Sequence, residues 1–227
     1  MKQYLTPKSK PYFDKITSIV INISKILESE IFIYGGFVRD LIQHYFEYNV
    51  NNEIEFIKPN DVDIWVSQKY SHKYSLRSWD YTIRNLYNRK DELNITFMGG
   101  GSGSAFSDRE VYSLVKIVID NITFDMTTDI NFWSVYNDLS DFTVNNLSID
   151  MNHNITQRTE TKYTIDEIIT HIKDKSIVCC INHKKLDNYI KFYCDETNYY
   201  KSKLRDRLVK MEGKNYKRFD LSSIFKD

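Results

Sequence analysis

Two short stretches hold the residues whose types and spacing can do chemistry. These are Tyr34-Gly35-Gly36-Phe37-Val38-Arg39-Asp40 and, about two dozen residues on, Asp61-Val62-Asp63. A glycine pair closing an apolar run and opening onto a helix that carries Arg39 makes a ready cradle for phosphate. Asp61 and Asp63 stand one residue apart in a β-rich run with Val62, Ile64, Trp65 and Val66. Their carboxylates therefore leave the same face of a strand. A third acid, Asp125, interrupts the apolar neighbours Phe124 and Met126. An acid so placed is solvated at an edge or paired with something positive, and a metal ion is a suitable partner. Such oxygen donors suit Mg²⁺ or Mn²⁺, and phosphates beside paired carboxylates point to metal-assisted nucleotide chemistry. Taken singly, each feature has a plainer explanation: a solvated strand end, a tight turn, a surface Arg39–Asp40 pair. Their order and spacing together carry the signal.

The elements that position these groups follow from hydrophobic periodicity. Phe13, Ile16, Ile19, Val20, Ile23, Ile26 and Leu27 recur at helical spacing over residues 12–27. Ile31–Tyr34 is a short buried strand, and residues 36–46 form a helix with Phe37, Leu41, Tyr45 and Phe46 inward. The Asn-rich stretch 49–60 is a loop, and residues 61–67 return as a strand. Residues 76–89 are expected to be helical, and 93–97 to be a strand ended by the glycine run that follows. Residues 111–119 and 122–127 read as antiparallel strands joined by an Asp120-Asn121 turn. Residues 131–138 and 142–147 are short helical candidates. The fold class expected is α/β (α+β), a mixed, largely antiparallel sheet flanked by helices, with a small helical C-terminal region. Residues 1–150 form the main unit and 151–227 the C-terminal one.

At 227 residues the chain can build one domain with a real core. Its net charge is zero, so any attraction to nucleic acid must come from a local basic surface. The amino terminus lacks a signal-peptide pattern, no apolar run reaches membrane-spanning length, and no membrane partner is expected. Cys179, Cys180 and Cys194 are an odd set with two adjacent members, which fits a reducing, cytoplasmic setting. With His183 they match no common zinc spacing. The bias toward Ile, Asn, Lys and Tyr resembles coding in an A/T-rich organism or a large DNA virus. Gly99-Gly100-Gly101-Ser102-Gly103-Ser104 holds four of the seven glycines. In so glycine-poor a chain this run, 99–104, reads as an engineered flexible linker replacing a loop.

Gly35-Gly36-Phe37-Val38-Arg39-Asp40 followed by Asp61-Val62-Asp63-Ile64 resembles the head domain of CCA-adding enzymes and bacterial-type poly(A) polymerases. These belong to the DNA polymerase beta-like nucleotidyltransferase superfamily. Two further segments resemble that family in the same order: Phe124-Asp125-Met126-Thr127-Thr128, and Asp141-Phe142-Thr143-Val144-Asn145-Asn146-Leu147. The resemblance covers roughly residues 31–150. It implies that Asp61 and Asp63 hold the metals with Asp125 in support. It further implies that Gly35, Gly36 and Arg39 contact the triphosphate of an NTP, and that Asp141 and Asn145 face its ribose and phosphates. The chain departs from the family where Leu139-Ser140 stands in place of an arginine pair, and it carries no Glu-Asp-x-x-Arg run in its tail.

Residues 201–218 carry Lys201, Lys203, Arg205, Arg207, Lys210, Lys214, Lys217 and Arg218 against Asp206 and Glu212. Leu204, Leu208 and Met211 fall on one helical face, so this helix docks by its stripe and turns basic groups outward. It could grip an RNA backbone, or be an ordinary solvated face. The expected activity is metal-dependent transfer of NMP from an NTP to an acceptor hydroxyl, with an RNA 3′ end as acceptor and pyrophosphate released. Its rivals are a nucleotidyltransferase that modifies a protein or small molecule, and a catalytically silent RNA- or protein-binding module on the same fold.

Overall fold

The computed structural model describes residues 1–67, 85–92, 94–102, 113–128, 142–158, 161–178, 206 and 208–219. Helix α1 spans Lys10–Leu27, with Pro11 in its first turn and Glu28 closing it in the left-handed region at φ 49°. Proline is tolerated there because the first N–H groups of a helix have no partner inside it. Strand β1 (Glu30–Tyr34) follows directly and leads into α2 (Gly36–Val50). Within α2, Phe37, Leu41, Ile42 and His44 are buried, while Tyr45 and Phe46 lie half-buried at its margin.

Strands β2 (Asp61–Ser67), β3 (Ile95–Ser102), β4 (Ser113–Ile119), β5 (Ile122–Thr128), β6 (Leu147–Ile149) and β7 (Ile155–Gln157) join β1 in one seven-stranded sheet. Its order is β3-β4-β5-β2-β1-β6-β7, with every neighbouring pair antiparallel except β5 and β2. The expected mixed, largely antiparallel sheet flanked by helices is thus present. Strict alternation decides its faces. Val62, Ile64, Val66, Phe124, Met126, Ile31 and Ile33 point to one side and pack with Phe13, Ile16, Val20 and Ile23 of α1 and Phe37 and Leu41 of α2 in a single core. Burial of this kind stabilises by roughly 1.5–3 kcal/mol for each large side chain, and dominates the fold.

The β4–β5 hairpin turns at Asp120-Asn121, both at positive φ (51° and 63°), as a two-residue hairpin turn demands. Strand β3 does not stop at the glycine run. Gly99, Gly100, Gly101 and Ser102 continue it past a bulge after Phe97, paired with Lys116, Val115, Leu114 and Ser113 of β4. Cross-strand hydrogen bonding to a complete neighbour overrides the weak strand preference of glycine. The 3₁₀ turn Thr143–Asn145 stands where a short helix was expected, and runs straight into β6.

The sheet continues past residue 150, since Leu147–Ile149 pairs with Ile155–Gln157 across the Asp150–Asn154 turn. Beyond it, α3 (Ile165–Lys173) begins with a capping box in which Thr164 and Glu167 satisfy each other's backbone N–H groups. Strand β8 (Ser176–Val178) pairs in parallel with β9 (Lys217–Phe219), a link that periodicity did not anticipate. A helical stretch at 208–212 docks through buried Leu208 and Met211, as its stripe requires. Among the described residues no helix is long and apolar enough to cross a membrane. Residues 68–84, 93, 103–112, 129–141, 159–160, 179–205, 207 and 220–227 lie outside the described residues, and with them Asp141, Leu139-Ser140, the cysteines, His183 and the first part of the basic stretch.

Candidate nucleotide site

One row of residues crosses the sheet face opposite the core. In register, it reads Lys116 on β4, Asp125 on β5, Asp63 on β2, Tyr34 on β1, Ser148 on β6 and Thr156 on β7. Asp61, two residues before Asp63, shares its face and is exposed. Neighbouring strands lie about 4.8 Å apart, so Asp63 and Asp125 stand side by side, with Asp61 two residues along β2 on the same face. The Asp-x-Asp spacing and the acid of β5 thus fall on one face of the sheet.

Gly35 stands immediately beside it. Its backbone has φ 71° and ψ −133°, and a Cβ there would lie 2.9 Å from Asp63 Oδ2. Only glycine combines that conformation with that approach, so the β1–α2 turn and the carboxylate are built around each other. Substituting Gly35 by alanine is expected to destabilise the protein by about 1–3 kcal/mol, read as a lower urea midpoint at unchanged slope. It is also expected to push the Asp63 carboxylate aside. Gly36 opens α2, whose first N–H groups face the same corner.

The electrostatics are those of crowded negative charge. Desolvation first, then Asp61 and Asp125, raise the Asp63 carboxyl to about 6, against opposing pulls from Arg158 and Lys210. Asp125 is held differently. Lys116 Nζ lies 3.0 Å from its buried Oδ1 and pairs with it. The carboxylate of Asp125 keeps Lys116 protonated, above the usual lysine range. Among the described residues, no three side chains converge as ready-made metal ligands. The donor set nevertheless fits a hard divalent cation, since it offers only carboxylate oxygens and carries a half-buried acid that resists ionising. Asp61 and Asp63 are the residues that would hold the ion, and Asp125 would add a third oxygen donor.

Arg39 is placed otherwise than its spacing implied. It is only 5% exposed, and its donors turn into the protein. Nε donates to Asp40 Oδ1 at 2.8 Å, Nη1 donates to Asn145 Oδ1 at 2.7 Å, and Nη1 meets Met211 Sδ at 3.3 Å. Nη2 pairs with Asp40 and borders Gly36, 3.5 Å from where a Cβ would stand. Lys214 Nζ reaches the other oxygen of Asp40 at 2.8 Å. Arg39 thus fixes Asn145 and the 208–219 segment against α2, with one edge beside the glycine turn. Asn145 is brought to this corner, and Thr143 is held by His171 Nδ1 at 3.0 Å.

Three cations went unforeseen. Lys116 was legible through turn arithmetic: with Asp120-Asn121 as the turn, 119 faces 122 and 116 faces 125. Lys210 belongs to the basic stretch and acts electrically on Asp63, and its helix is tied to α2 through Met211 and Lys214. Arg158, just after β7, lays its guanidinium over the Tyr34 ring at 4.3 Å. No pattern in the polar segment around it marked it out.

No protein-family model matches the sequence, and no curated protein matches it by sequence. Solved structures do resemble it. The Thermotoga maritima CCA-adding enzyme complexed with tRNA superposes with a TM-score of 0.54 at 15% identity, covering 98% of this chain and 43% of that one. A CCA-adding enzyme in complex with CTP gives 0.51 at 15% identity, covering 97% and 42%. The chain therefore spans less than half the length of the enzymes it resembles. At this identity the likeness is one of architecture, and the chain carries a nucleotidyltransferase-like fold shared with CCA-adding enzymes.

Proposed function

We propose that the protein transfers a nucleoside monophosphate from an NTP to an acceptor hydroxyl, with an RNA 3′ end as acceptor and pyrophosphate as leaving group. The row of Asp61, Asp63 and Asp125 beside Gly35 is the observation that carries this reading. A bound Mg²⁺ or Mn²⁺ supplies activation of the attacking hydroxyl and neutralisation of charge on the phosphates. Asp61 and Asp63 would hold it, and Asp125 would complete the oxygen set. The Gly35–Gly36 turn leaves space and backbone N–H groups for the triphosphate at the start of α2. Asn145, clamped by Arg39, faces the nucleotide from the other side, with Asp141 assigned the neighbouring role. Lys210, within electrostatic reach of Asp63, and Lys217, both exposed on the basic stretch 201–218, give RNA a salt-sensitive grip. That the two solved relatives bind tRNA and CTP supports both partners.

The Lys116–Asp125 pair favours a second reading, an RNA-binding module in which lysine has replaced metal as the partner of the acid. One experiment separates the two. The protein is incubated with Mg²⁺ or Mn²⁺, a short labelled RNA and each NTP in turn. Extension of the RNA, abolished by Asp61→Ala with Asp63→Ala, is the expected result. RNA binding without extension, unchanged by that double substitution, establishes the module instead, and label appearing on protein establishes a different acceptor.

A further inference from the structure

Arg158 is anchored with unusual care for a residue outside regular structure. Its N–H donates to the buried Asn146 carbonyl at 2.8 Å, directly after β7 pairs with β6. Its guanidinium then crosses β6 to lie over Tyr34, the residue in register with Asp63. The ring beneath is itself fixed, since Tyr34 Oη and Thr127 Oγ1 share a hydrogen bond of 3.2 Å. Among the described residues Arg158 makes no ion pair with any carboxylate, although it stands close enough to Asp63 to oppose that acid's repulsion by its neighbours. A guanidinium stacked by one face on an aromatic ring keeps its N–H edge free and loses little further freedom on binding. That edge matches phosphate oxygens two at a time.

We infer that Arg158, seated on Tyr34, grips the polyphosphate of the incoming nucleotide at the edge of the acid row, opposite the Gly35–Gly36 turn. This rests on the nucleotidyl-transfer reading of the same site. An RNA backbone is the competing ligand, and the test distinguishes it.

The probe is inorganic pyrophosphate with Mg²⁺, which needs no assumption about the base, followed by each Mg·NTP and by short RNA, all measured by calorimetry. Arg158→Gln is expected to weaken pyrophosphate and NTP binding by roughly tenfold to a hundredfold, the range for losing a charge-assisted contact. Arg158→Lys should recover only part of this, because a point charge lacks the fork. Tyr34→Leu, which keeps the guanidinium and removes its platform, should weaken pyrophosphate severalfold and serves if Arg158→Gln does not fold. Unchanged pyrophosphate binding in Arg158→Gln overturns the inference while leaving the transferase reading intact. Unchanged pyrophosphate binding with weakened RNA binding overturns it in favour of the acceptor backbone. A wild-type protein that binds neither pyrophosphate nor any NTP overturns the transferase reading itself, and this assignment with it.

Discussion

Replacing Asp63 by asparagine is expected to abolish nucleotidyl transfer while making the metal-free protein more stable. The sign follows from where the carboxyl titrates. In the unfolded chain Asp63 ionises near its ordinary value, whereas in the folded protein desolvation, Asp61 and Asp125 hold it at about 6. The folded state thus binds the proton more tightly, and its stability is fully present below about pH 4 and falls as pH rises toward 6. A displacement of about two pH units corresponds to on the order of 2–3 kcal/mol at neutral pH. Asparagine keeps the shape of the neutral acid and removes the repulsion. The melting temperature without metal should rise by about 4–8 °C, and its dependence on pH between 4 and 6 should flatten. Mg²⁺ or Mn²⁺ should stabilise the wild-type protein and not the variant, and wild-type affinity should fall about tenfold for each pH unit below 6 as protons compete. Activity should drop by about a thousandfold or more, at or beyond the upper end for one lost electrostatic contact. A wild-type protein equally stable at pH 4 and 7 would show that these acids do not repel, and that no ion is needed between them.

How much of this was legible in the sequence depends on how local each signal was. The Gly35–Gly36 turn and the Asp61–Asp63 pair follow from a few adjacent residues, because strand alternation and the tolerance of glycine act over single peptide units. Asp125 was legible as an acid among apolar neighbours, but not its parallel alignment with Asp63, which joins strands some sixty residues apart. Lys116 was encoded in the two-residue turn and overlooked. Arg158 was not encoded in any pattern: it follows a three-residue edge strand with no apolar alternation, and its importance comes from lying over Tyr34. The continuation of β3 through Gly99–Ser102 corrects one expectation, since the glycines were to end the strand and the neighbouring strand supplied the order. Arg39 is the subtlest case. Its position beside the glycine turn was read correctly, while the direction of its donors depends on Asn145 and Met211, which are distant in the chain.

Arg39→Met is the substitution that separates these two roles. If the guanidinium chiefly met the triphosphate, the variant would fold normally and simply need more nucleotide. The structure points the other way. Asp40 would keep Lys214, whose side chain is far more exposed than that of Arg39, but would lose its buried partner. Asn145 Oδ1 would lose the Nη1 donor. Breaking a buried charge pair costs about 3–5 kcal/mol when its partner is left alone, and the remaining lysine should hold the loss to about 2–4. The deficit should appear as a lower urea midpoint, together with faster amide exchange at 208–216, because Met211 and Lys214 tie that segment to α2 through this one cluster. Arg39→Lys should behave almost as badly, since an ammonium cannot reach Asp40 and Asn145 together. Transfer should slow by about tenfold or more through kcat, as Asn145 and the Lys210 helix drift from the acid row. A variant of normal stability and exchange, impaired in KM for nucleotide alone, would return Arg39 to the triphosphate and leave the C-terminal segment held by its apolar stripe.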